Sequence, residues 1–194
     1  MSVSRVLTWE VIESRGYETA WVERYGSTLR ARGRAVGTAP EPYWISYELD
    51  TAEGFVTRRL RVTAESASGT RVLDLRHDGE GRWTADERRL PEVDGALDCD
   101  LGLCPLTNTM PVLRHGLHRA PGAAGTGDFL MAWVSVPDLA VRASRQTYTH
   151  LARTDHGGRV HFASGDFHRD LEFDADGYVI DYPTLARRLA ARPG

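Results

Sequence analysis

Hydrophobic and polar residues alternate along most of this chain with the period of two that marks a strand half-buried against a core. Leu29, Ala31, Gly33 and Ala35 alternate with Arg30, Arg32 and Arg34, and Tyr43, Ile45, Tyr47 and Leu49 alternate with Trp44, Ser46 and Glu48. Further on, Val56, Arg58, Leu60 and Val62 share one face, and Thr57, Arg59, Arg61 and Thr63 the other. The same reading predicts strands over 72–77, 145–153, 159–163, 170–174 and 178–181. The run 129–136 is apolar on both faces and is expected to lie centrally. Asp78-Gly79-Glu80-Gly81 and Asp174-Ala175-Asp176-Gly177 are hairpin turns, the second with Gly177 supplying a positive φ.

Helix signals are few. Pro183 at a first-turn position, with Leu185 and Leu189 four residues apart, predicts a short C-terminal helix. A helical turn over 109–114 is limited by Pro111. Pro121 to Gly127 reads as an uncharged, flexible hairpin connection. Many short strands with little helix predict a mainly β fold: a strongly curved antiparallel sheet forming a rolled or half-open barrel. No linker divides residues 1–194, so a single domain is expected.

Composition narrows the classes. A chain of 194 residues with 41% hydrophobic residues can bury a core, and a net charge of -3 argues against nucleic acid as a partner. All 24 basic residues are arginine. No window is apolar enough to cross a bilayer, so stable membrane insertion is not expected. The N-terminus lacks the apolar stretch of a secretory signal, and a cytoplasmic location is expected. Cys99 and Cys104 are too few for a disulfide framework and read as reduced thiols. The seven histidines form no metal signature, and neither a phosphate loop, a dinucleotide fingerprint nor a nucleophile elbow is present. No cofactor and no metal are expected.

The densest polar cluster runs from Asp98 to Arg114. Leu97, Cys99 and Leu101 fall on one strand face, with Asp98 and Asp100 on the other. Paired carboxylates can hold a hard cation or divide acid and base roles, but two acidic residues also commonly mark a solvated face. Arg58, on an apolar face, must pair, reach solvent or meet a ligand anion. Gln146 and Tyr148 share a face where they can hydrogen-bond a sugar or a neighbouring strand. Trp44, Trp83 and Trp133 either line a site or pack the core. Asn108, between two threonines, either closes a turn through the backbone or contacts a ligand. The Arg30/Arg32/Arg34 row is a basic face that attracts anions or lies solvated on an edge strand.

The segment Asp98, Asp100, Pro105, Thr107, Asn108, Thr109, Met110, Pro111 and Arg114 resembles the bacterial family known as putative glycolipid-binding, formerly a domain of unknown function. Val136-Pro137-Asp138-Leu139, Gln146-Thr147-Tyr148 and Asp176-Gly177-Tyr178-Val179-Ile180-Asp181-Tyr182-Pro183 match its later motifs in order, while Trp44 to Arg58 fits more loosely. Leu113 stands where the family has the first of two arginines, and Cys99 sits between the aspartates rather than before them. The resemblance implies a curved, mostly antiparallel sheet similar in outline to carriers of acyl chains, and brings no catalytic residues.

The leading expectation is non-enzymatic binding of an amphipathic ligand, a glycolipid or acyl conjugate. Its tail would lie in the sheet's concavity, and polar groups among Arg58, Asp98, Asp100, Asn108, Arg114, Gln146 and Tyr148 would orient its head. A hydrolase or isomerase acting on a glycoside or lipid through Asp98 and Asp100 is the second expectation. A structural or interaction protein without a small-molecule ligand is the third.

Overall fold

In the computed structural model of the protein, which describes residues 2–119 and 126–190, fifteen strands form one sheet. Eight belong to the N-terminal half: β1 (Ser2–Val11), β2 (Gly16–Tyr25), β3 (Thr28–Gly37), β4 (Tyr43–Thr51), β5 (Thr57–Ser66), β6 (Gly69–His77), β7 (Trp83–Ala85) and β8 (Arg88–Arg89). Seven follow: β9 (Asp98–Leu101), β10 (Thr126–Val134), β11 (Val141–Thr154), β12 (Gly157–Ser164), β13 (Phe167–Asp174), β14 (Val179–Tyr182) and β15 (Ala186–Arg188). The spatial order is β8-β7-β6-β5-β4-β3-β2-β1-β15-β14-β13-β12-β11-β10-β9. The first strand pairs with the last, which joins two meanders into one mainly β sheet. All pairs are antiparallel except β9 with β10.

The sheet is strongly curved and unclosed, with β8 and β9 at its two edges. It curls far enough for β9 to rest against β5. There the Thr57 N–H donates to Leu97 O at 3.0 Å, and the Cys99 N–H donates to Thr57 Oγ1 at 3.1 Å. Those bonds satisfy part of an otherwise open strand edge.

Alternation along the strands sets the burial. On β3, Leu29, Ala31 and Ala35 are buried, while Arg30, Arg32 and Arg34 are exposed. Both predicted hairpins form. Asp78 Oδ1 accepts the Glu80 and Arg82 N–H groups, at 2.7 and 3.0 Å, between β6 and β7. Asp174 Oδ1 accepts those of Asp176 and Tyr178, both at 3.0 Å, and Gly177 adopts φ +83°. These are side-chain-stabilised turns that only a short acceptor side chain can make.

The interior divides in two. Trp9, Leu29, Leu49, Leu60, Leu75 and Trp83 anchor a filled core under the N-terminal strands. Tyr148, Val160, Phe162, Leu171 and Phe173 anchor a smaller one under the C-terminal strands. Strand β9 is the partition. Cys99 and Leu101 pack into the first core, so Asp98 and Asp100 face the other way.

Several expectations are corrected. The predicted C-terminal helix is absent: residues 183–185 form a turn closed by Leu185 N–H to Tyr182 O at 2.9 Å, and β15 follows. The Leu185/Leu189 spacing suits a helix in isolation. The segment instead lies between β1 and β14, whose backbone groups pair with it on both sides. The helix that forms is α1 (Thr109–His115), because Pro111 lies in its first turn, where the missing N–H is no loss. Gly116, at φ +64°, ends it. The arginine row lies on an interior strand, not an edge. Sequence reading passed over β1 and β2. The proposed connection Pro121–Gly127 lies largely outside the described residues, and its last residue already belongs to β10.

Candidate functional site

Residues 97–115 run from β9 through a 3-10 turn (Pro105–Asn108) into α1, across the junction of the two halves. The seven candidate residues separate here into two clusters and one outlier.

Asp98 and Arg114 form the first cluster. Asp98 is fully buried, and both its oxygens accept from the Arg114 guanidinium, Oδ2 from Nη1 at 2.8 Å. Arg114 Nε also donates to Gly54 O at 2.7 Å, and Nη2 to Phe55 O at 3.2 Å. One guanidinium thus fastens β9 and α1 to the loop between β4 and β5. Burial pushes the Asp98 carboxyl above its ordinary range, against the opposing pull of Arg114. This pair is a latch.

Asp100, Asn108, Gln146 and Tyr148 form the second cluster. Asn108 Nδ2 donates to Tyr148 Oη at 2.9 Å, Tyr148 Oη to Gln146 Oε1 at 3.1 Å, and Gln146 Nε2 to Asp100 Oδ2 at 2.6 Å. Every donor points toward the aspartate. Thr107 Oγ1 lies 2.9 Å from Asp100 Oδ1 while accepting the Leu101 N–H at 3.1 Å. Turn closure, an alternative for Asn108, is thus the work of Thr107. Burial raises the Asp100 pKa, the Gln146 and Thr107 hydrogen bonds oppose the shift, and the Asp98 charge adds to it.

This second cluster opens on a cavity of about 650 Å³. Asp100, Asn108 and Gln146 line it, and Tyr148 braces two of them from behind. Leu103, Trp133, Val136, Phe162, Phe167 and Leu185 give it an apolar wall. Ser144 and Ser164 add hydroxyls, 3.2 Å apart. Glu13 and Asp100 are its ionisable acids, and no arginine or histidine lines it among the described residues. Trp133 lies against Gly102, where a Cβ would stand 3.3 Å from its indole.

Arg58 joins neither cluster. Residue pairing passes from Asp50–Arg59 to Thr51–Thr57, so Arg58 is the extra residue of a β-bulge. The bulge shifts the alternation and leaves Arg58 exposed, contrary to its expected place on the apolar face. Of the tryptophans, Trp83 is core, its Nε1 donating to Ala96 O at 2.8 Å. Trp44 is exposed, and Trp133 lines the cavity.

The two aspartates therefore do not flank one cleft, as an acid–base pair must. Asp98 is sealed away from the cavity that Asp100 faces. Among the described residues no group of three or more His, Cys, Asp or Glu side chains is arranged to hold a metal ion. Cys99 and Cys104 are buried free thiols, and burial pushes Cys99 up to about 12, far from a reactive thiolate. No helix among the described residues is long and apolar enough to cross a membrane.

Sequence reasoning missed Ser144, Ser164, Phe162 and Glu18. The first lies two residues before Gln146 on the same strand, so its period-two position carried the signal. Glu18 lies on the apolar face of β2 with Ala20 and Val22, fully buried. It accepts the Tyr47 hydroxyl at 2.5 Å and the Leu106 N–H at 3.3 Å, and burial raises it to about 7.

Comparison with known proteins agrees with this architecture. A crystal structure of a DUF1089 family protein from Pseudomonas aeruginosa is similar, with a TM-score of 0.71 and 31% identity over 89% of this chain and 92% of that one. The comparison with curated proteins found no match. The family described as "Putative glycolipid-binding" matches residues 6–188, and with nearly the whole length of the chain covered, this protein belongs to that family.

Proposed function

We propose that the protein is a non-enzymatic carrier, its chain one binding domain, that holds an amphipathic ligand in the cavity beside β9. The observation that carries this reading is an apolar-walled cavity of about 650 Å³ with one oriented carboxylate, Asp100, at its polar side. Ligand sites typically occupy about 300–1,000 Å³ and combine apolar walls with a few placed polar groups. An acyl tail against Phe162, Phe167 and Leu185 would gain about 0.8 kcal/mol for each methylene buried. At the other end, Asp100 and the carbonyl and amide groups of Gln146 and Asn108 suit hydroxyl groups. Trp133 offers a flat face to a sugar ring. With acids and, among the described residues, no cation lining the cavity, a neutral, hydroxyl-rich head is favoured over an anionic one. The family description is consistent with a glycolipid.

Native mass spectrometry of the purified protein, followed by denaturing extraction and lipid analysis, tests the reading. The expected result is an adduct enriched over a control protein from the same host. A Ser144→Trp variant, which fills the cavity, is expected to remain folded and lose the adduct. An adduct equally abundant in that variant would overturn the assignment.

A further inference from the structure

The outer face of the N-terminal strands carries a second concavity of about 650 Å³, lined by Trp21, Arg32, Arg34, Ser46, Arg61 and Thr63, with Glu48 among them. Strand register assembles it. Trp21, Arg32, Glu48 and Arg61 stand side by side across β2–β5, and Arg34, Ser46 and Thr63 form the adjacent row. Arg32 and Arg34 share one face of β3, and Arg61 stands two strands away, about 9–10 Å at the Cα. Gly33 and Tyr47 complete the lining. On the inner side the Tyr47 ring fills the place of a Gly33 side chain, since a Cβ there would come within 2.1 Å of it.

The charges of this face are unevenly matched. Arg30 pairs with Asp50 at 3.1 Å and Arg59 with Asp74 at 2.7 Å, but no ion pair among the described residues engages Arg32, Arg34 or Arg61. The Ser46 and Thr63 hydroxyls make no hydrogen bond to another described side chain, and the Trp21 ring is half exposed. Glu48, in register between Arg32 and Arg61, offsets one of the three positive charges. Like charges at neighbouring strand positions repel, and an anion placed among them relieves the repulsion.

We propose that this concavity binds a phosphate-type oxyanion, with Arg32, Arg34 and Arg61 as its cationic donors. Ser46 and Thr63 add hydroxyl donors, and Trp21 contacts the organic part of the ligand. Guanidinium forks match a tetrahedral oxyanion geometrically, and an aromatic face beside them covers the attached carbon skeleton. The site is on the face of the sheet opposite the N-terminal core and shares no lining residue with the cavity beside β9. The recognised chemistry is a phosphate ester, whether on a lipid head group or on a soluble molecule.

The test uses the full chain and two probes at low salt: calorimetric titration with glycerol phosphate, and sedimentation with phosphatidylcholine vesicles with or without phosphatidylglycerol. Wild type is expected to bind at least one phosphate probe, more weakly as salt is added. Arg34→Glu/Arg61→Glu is expected to weaken binding by about tenfold or more, and Glu48→Gln to strengthen it. Pelleting that requires phosphatidylglycerol, without binding of glycerol phosphate, identifies a lipid head group. The reverse identifies a soluble ester, and binding of both means that the phosphate group itself is what is read. Binding of neither probe, or binding that the double variant retains, overturns the proposal. Should the charge reversal disturb the thermal melt, Arg34→Gln/Arg61→Gln gives the same reading with a smaller loss.

Discussion

Each half of the molecule turns a carboxylate inward, and the two are used differently. Under the N-terminal strands, Glu18 accepts a hydrogen bond on each oxygen, from Tyr47 and from the Leu106 backbone, and is itself fully buried. Under the C-terminal strands, Asp100 also accepts on each oxygen, from Thr107 and Gln146, but its remaining acceptor capacity faces the cavity. A carboxylate accepts about four hydrogen bonds. What separates the structural carboxylate from the proposed binding one is where the unused lone pairs point. The N-terminal half is filled with large side chains and serves as a scaffold. The C-terminal half leaves space beside a polar network already oriented by its own hydrogen bonds.

The joint between the halves should give the largest effect. Arg114→Ala leaves Asp98 buried without a partner and releases the loop at Gly54 and Phe55. The expected loss is about 3–5 kcal/mol of unfolding free energy, measured by urea denaturation. A loss under about 1 kcal/mol would mean that Asp98 and Arg114 are not a latch.

The scaffold half carries the next effect, in its pH dependence. Glu18 titrates near 7 in the folded chain against an ordinary value of 4.5. Between those values the folded state binds more protons than the unfolded state, so this group's contribution to stability falls as pH rises through that window. His77, His115 and His118 act in the opposite sense, because burial lowers their folded pKa values. Glu18→Gln removes only the first contribution. Its stability relative to wild type is expected to rise by about 3 kcal/mol between pH 4.5 and pH 8, superimposed on a constant offset from the altered hydrogen bonds. A pH-independent difference would show that Glu18 does not titrate in this window.

The half that holds the cavity should respond more gently. Tyr148→Phe removes the hydroxyl that joins Asn108 to Gln146, at a cost of about 1–2 kcal/mol, together with weaker ligand retention in native mass spectra. Unchanged stability and retention would mean that the network does not hold the polar side of the cavity. Arg58→Ala should be the smallest, within about 0.5 kcal/mol of wild type and with ligand retention intact, because Arg58 is exposed at a bulge.

Strand alternation, the two Asp-Gly hairpins and the kinship of the Asp98–Arg114 segment were all legible in the sequence, because each depends on neighbours a few residues apart. So was the mainly β class, and so was the shared face of Asp98 and Asp100, which follows from a period of two. Only the tertiary structure decided how that shared face is divided. Arg114 reaches Asp98, while Gln146, 46 residues along the chain from Asp100, reaches that second aspartate. The bulge that exposes Arg58, the conversion of the expected terminal helix into β15, and the apposition of β9 and β5 have the same origin. Each is set by backbone groups and side chains that meet only when distant strands pair, and local periodicity carries no record of which strands those are.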